Sequence, residues 1–83
     1  MSRFLGIIIT MYFNEHNPPH FHARYGEHKA EVAIQTLSVI GGKLPPRVLG
    51  LVMEWAALHR DELLEDWELA RQQTDLRRIA PLE

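Results

Sequence analysis

The hydrophobic pattern changes period once along the chain. Residues 4–13 are dense in Ile, Phe, Tyr and Thr and predict a strand buried on both faces. Residues 14–19, rich in Asn, His and Pro, predict a loop. Residues 20–25 alternate as a second strand, and residues 26–28 form a short connection. Residues 29–35 resume the alternation, with Ala30, Val32 and Ile34 on one face and Lys29, Glu31, Ala33 and Gln35 on the other. The two segments predict an antiparallel hairpin. Residues 36–40 add a short fourth strand, ended by Gly41-Gly42. Beyond Pro45-Pro46 the spacing becomes helical: Val48, Val52, Trp55, His59, Leu63, Trp67 and Ala70 recur at steps of three or four, widened by Leu51, Leu58 and Leu69. Acidic residues from Asp61 onward allow either one long helix or two helices kinked near Arg60, because acids favour helix N-termini. Residues 74–83 fit a frayed end or a short strand.

Strands first and helices last predict an α+β fold. The expected architecture is a three- or four-stranded antiparallel sheet followed by one or two C-terminal helices packed on one face. A single domain over residues 1–83 is expected, β-rich over 1–40 and helical over 45–73. A chain this short has a marginal core, which invites a partner or a homodimer. With 46% hydrophobic and 24% charged residues it is not a disordered chain. No cysteine is present, which excludes disulfides and thiolate metal sites. No apolar run approaches the ~18–20 residues of a membrane span, so no membrane role is expected and the default location is the cytoplasm.

The net charge of −2 argues against general nucleic-acid binding, but it is unevenly spread. Residues 1–50 hold five basic against three acidic residues, and residues 51–83 hold four against eight. Contact with an anion or nucleic acid therefore belongs to the first half.

Candidate chemistry centres on Asn17-Pro18-Pro19-His20-Phe21-His22-Ala23. The prolines stiffen the approach to the strand, and residues two apart in a strand share a face. His20 and His22 should lie side by side, as a catalytic acid and base, as metal ligands, or as polar residues lining a binding surface that the Pro18-Pro19 turn shapes. Asn14, Glu15 and His16 are near in sequence, and His16 or His28 could add a third ligand. His59, on the apolar helical stripe, joins the pair only if that stripe packs near them; otherwise it is a boundary residue. The metal candidates are thus His20, His22 and His59. Arg24, Lys29, Lys43 and Arg47, interleaved with Tyr12 and Tyr25, suit phosphate contact and base stacking, or form a solvated strand face. Arg24, Lys29, Tyr25 and Asn17 are the binding candidates. The acidic residues from Asp61 to Glu68 read as a solvated helix face. The sequence identifies no cofactor, and it lacks a Gly-rich phosphate loop and a nucleophile elbow.

The same residues carry a resemblance. Ile7-Ile8-Ile9, Met11-Tyr12-Phe13, the Asn17–Ala23 string, Tyr25-Gly26, Gly42-Lys43-Leu44-Pro45, Glu54-Trp55-Ala56, His59-Arg60 and Glu62-Leu63 resemble a small bacterial family catalogued as domain of unknown function 4160. Its members are short, often encoded beside a second small protein, and some are labelled toxins of type II toxin–antitoxin pairs. The resemblance implies a growth-inhibiting protein neutralised by a small antitoxin-like partner encoded nearby. It implies no established target or reaction. A metal-binding protein and a non-catalytic binding module remain the alternatives.

Overall fold

The computed structural model describes residues 1–13 and 16–82. Among these residues five strands precede two helices: β1 (Ser2–Phe4), β2 (Ile7–Thr10), β3 (His20–Tyr25), β4 (His28–Ala33), β5 (Ser38–Lys43), α1 (Pro46–Leu58) and α2 (Arg60–Arg71). The strands form one antiparallel meander in the order β1-β2-β3-β4-β5. The α+β expectation holds, with one more strand than expected.

The extra strand comes from a turn hidden in an apolar run. Leu5 and Gly6 both have positive φ, 50° and 80°, and form a two-residue hairpin turn between Phe4 and Ile7. Such turns match the right-handed twist of the strands they join. Leucine is not a turn-forming residue, so the sequence there reads as continuous strand. Nor is this segment buried on both faces. Ile7, Ile9 and Met11 are buried, whereas Tyr12 and Phe13 are exposed.

The β3–β4 hairpin forms as predicted, with Tyr25 opposite His28 across Gly26-Glu27. Strand β5 runs through Gly41-Gly42 to Lys43 instead of stopping before them. A bulge opposite the Glu31–Val32 step inserts Ile40 between the partners of these two residues. Gly42, at φ 72°, lies where an added Cβ would strike the Lys29 carbonyl oxygen. Glycine is therefore required for the close approach that keeps the strand paired.

The core lies between the sheet and the helices. Ile7, Ile9, Phe21, Ala23, Ala30 and Val32 from the strands meet Val48, Val52, Trp55, Leu63, Trp67 and Ala70 from the helices. Trp55 is fully buried, with its ring 5.5 Å from Phe4 and 5.8 Å from Phe21, centroid to centroid. Removing such a side chain costs about 3–5 kcal/mol. The helical stripe is thus the core face as predicted, except that Leu58 is 69% exposed.

The helices are two. Helix α1 ends and α2 begins at His59, whose φ of −121° leaves the helical region. Asp61 and Glu62 then occupy the first turn of α2, where the helix dipole favours acids.

Residues 72–82 are neither strand nor frayed end. They strap the helices to the sheet edge: Trp55 Nε1–H donates to the Ala80 carbonyl at 2.8 Å, and the Ile79 N–H donates to the Met1 carbonyl at 3.3 Å. The Arg77 N–H donates to Asp66 Oδ1 at 2.9 Å. Asp66 is therefore not on a solvated face; it is 1% exposed, and its Oδ2 has no partner among the described residues. Burial raises its carboxyl above the usual carboxylate range, against the opposing pull of the Arg77 hydrogen bond.

Candidate functional site

The sheet face turned away from the core carries two adjacent rows of residues, polar except for Ile8 and Gly41. Partners across antiparallel strands point to the same side, so the register defines each row. One runs Thr10, His22, Glu31, Gly41. The next runs Arg3, Ile8, Arg24, Lys29, Lys43 across all five strands.

His20 and His22 share this region as expected, with ring centroids 5.3 Å apart. His20 is 6% exposed and its Nδ1–H donates to the Pro18 carbonyl at 2.7 Å. That bond fixes the tautomer and makes Nε2 the basic nitrogen. The loop supplying the carbonyl is held in turn by the Ile34 N–H, which donates to the Pro19 carbonyl at 2.9 Å. The Asn17–Pro18 peptide is cis. Trp67 of α2 stands 5.2 Å from the His20 ring, and Tyr12 meets the His22 ring edge-on at 4.6 Å. The two histidines are thus walled by aromatics on both sides.

Glu31 is the residue that sequence reasoning missed. It is the register partner of His22, and its Oε1 lies 3.8 Å from His22 Nδ1. One ligand atom from each of His20, His22 and Glu31 can be chosen so that all three lie within 4.8 Å of one another. A signal for it was present. Counting back from the two-residue turn at Gly26-Glu27 pairs Tyr25 with His28 and hence His22 with Glu31.

The other candidates are distributed differently. His59 lies at the helix break, where its Nδ1–H donates to Glu62 Oε1 at 2.6 Å and its ring lies tilted against Trp55, 5.6 Å between centroids. It does not join the cluster. His28 sits at the far end of β4, and His16 is exposed outside the cluster. Asn14 and Glu15 lie outside the described residues. Asn17 is exposed at the bend before β3. Tyr25 is a correction: it follows Phe21 and Ala23 on the core side of β3, opposite to Arg24. Arg24, Lys29 and Lys43 stand together, while Arg47 belongs to the first turn of α1. Sequence spacing gave no reason to add Arg3, which joins the row only through the β1–β2 hairpin.

Like charges side by side on a sheet repel. Among the described residues none of Arg3, Arg24, Lys29 and Lys43 has an acidic partner within ion-pair distance. Tyr12, His22, Lys29, Glu31 and Gly41 line a groove of about 400 Å³ beside them. The arrangement can receive an anion along the basic row and present two imidazoles and a carboxylate to it.

Fold and site together define a small α+β protein with a histidine-centred polar sheet face. The chain belongs to the family described as Domain of unknown function (DUF4160), whose model matches residues 6–68. No curated protein and no solved structure matches the chain. Among the described residues no helix is long and apolar enough to cross a membrane.

Proposed function

We propose that this protein is the toxin-like component of a bacterial type II toxin–antitoxin module, working in the cytoplasm on RNA or on an RNA-containing part of the translation machinery. The observation that carries this reading is the basic row Arg3–Arg24–Lys29–Lys43, which crosses the sheet directly beside His22 and Glu31. Strands are spaced ~4.8 Å apart, so the four cations span roughly 19 Å, the length of several backbone phosphates. Arg24 and Lys29 hold phosphate next to the reacting centre, and Tyr12 offers a ring for base stacking. His20 and His22 are the reacting residues. In a metal-free centre His20 Nε2 accepts a proton and His22 returns one.

A non-catalytic module that acts only with its small partner protein is the second reading. Val39 and Ile40, exposed on the edge strand β5, favour it, since an open apolar edge suits strand pairing with a partner or a second copy.

Growth of a bacterial host on induction of the chain tests both. Arrest by the native protein, relieved in a folded His20→Ala/His22→Ala variant and in an Arg24→Ala/Lys29→Ala/Lys43→Ala variant, supports the first reading. Arrest that persists in both variants overturns the assignment to these residues and moves the active surface elsewhere. Absence of arrest by the native protein overturns the toxin reading in favour of the second.

A further inference from the structure

We infer that His20, His22 and Glu31 form a binding site for one divalent transition-metal ion of the zinc type. Three observations converge. The donor atoms come from two paired strands and lie within 4.8 Å of one another. Around a tetrahedral ion with bonds of ~2.1 Å, ligand atoms stand about 3.4 Å apart. Side-chain rotation of the half-exposed Glu31 covers much of the difference.

The surroundings are those of a ligand site. A metal-bound histidine donates its second ring N–H to a carbonyl or carboxylate, which aims the other nitrogen at the ion. His20 does this through Nδ1–H to the Pro18 carbonyl, so Nε2 is the ligand atom. On the Glu31 side the neighbouring strand carries Gly41, where an added Cβ would stand 2.6 Å from Glu31 Oε2. A glycine there leaves the carboxylate room to lie over β5.

The donor set selects the ion class. Two imidazoles and one carboxylate suit zinc and its first-row neighbours, whereas calcium and magnesium take oxygen ligands. Three protein ligands leave a coordination position for water or substrate, the pattern of catalytic and not of structural zinc. An ion held here takes the nitrogen lone pairs that proton exchange would use. The metal-loaded centre and the proton-exchanging pair are therefore alternatives. Metal binding does not rest on the RNA reading, and it is measured without RNA.

The test uses the full chain, stripped with a chelator and titrated with Zn2+ by calorimetry and with Co2+ by visible absorption. One equivalent per chain is expected, with a Co2+ spectrum of a four- or five-coordinate site. Glu31→Gln, which leaves the core untouched, should weaken binding at least about tenfold. His20→Ala/His22→Ala, checked for folding by circular dichroism, should abolish it. His28→Ala, at the far end of β4, should bind like the native chain. Absence of saturable binding overturns the proposal. So does native-like affinity in Glu31→Gln, or a loss of binding in His28→Ala.

Discussion

His22 on β3 and Glu31 on β4 face each other in register, with Nδ1 3.8 Å from Oε1. The pair joins the one local motif of the sequence to a residue nine positions away. If it binds an ion together with His20, the ion stabilises the folded chain, since the unfolded chain lacks the site. At a free zinc concentration one hundred times the dissociation constant the gain is ~2.7 kcal/mol. For a domain this small that raises the melting temperature by roughly 10 °C or more. Glu31→Gln should show a much smaller rise. Thermal denaturation with and without zinc measures it, and equal rises in both proteins would remove Glu31 from the site.

The adjacent glycines should respond differently to the same substitution. Gly41→Ala places a methyl against the Glu31 carboxylate, which can swing away. Its stability cost should stay below about 1 kcal/mol while zinc affinity falls. Gly42→Ala meets the Lys29 backbone at a positive φ, and neither can yield cheaply. It should cost about 1–3 kcal/mol or more. Urea midpoints compare the two, and equal losses would contradict the distinction.

If Arg24, Lys29 and Lys43 contact phosphates, their binding energy comes from released counterions. For single strands the slope of log K against log salt is about −0.7 per contact. Replacing all three by alanine should therefore reduce the slope by ~2. Fluorescence anisotropy of a labelled single-stranded RNA over a salt series reads it directly. An unchanged slope would move the RNA contact off this row.

Asp66 gives a pH prediction. Its carboxyl is raised by burial, so the folded state keeps the proton to a higher pH than the unfolded chain does. Between the ordinary carboxylate value and the raised one the folded state binds more protons, and stability falls as pH rises. Above that window the full cost of the buried charge is present. Asp66→Asn removes the charge and keeps an oxygen for the Arg77 N–H. Its melting temperature relative to the native chain should rise as the pH increases through the ordinary carboxylate value of ~3.9 and into the range above it. A difference that is constant with pH, or that falls, would place the cost elsewhere.

The helical core face was legible because burial on one side of a helix imposes a period of 3.6 that survives in the sequence: Val48, Val52, Trp55, Leu63, Trp67 and Ala70 are all buried. The β3–β4 hairpin was legible for the same kind of reason, with Gly26 at its turn. Two features were not. The Leu5-Gly6 turn carries one residue whose composition argues against a turn, and its conformation is imposed by strand pairing on either side. Asp66 looks like its acidic neighbours, and only the docking of residues 72–82 buries it.

What the sequence determined by itself is what periodicity and local stereochemistry encode: strands before helices, the sheet–helix core, and two imidazoles on one face of β3. What the tertiary structure decided is everything that depends on register and docking. Glu31 meets His22, Arg3 joins Arg24, Lys29 and Lys43, Tyr25 turns away from them, and His59 stays apart. Each strand dictates only which side its residues face. Which residues become neighbours depends on turns and bulges that align one strand with the next: a shift of one residue at Leu5-Gly6 would take Arg3 out of its row, and one at Ile40 would rearrange the β5 end of both rows.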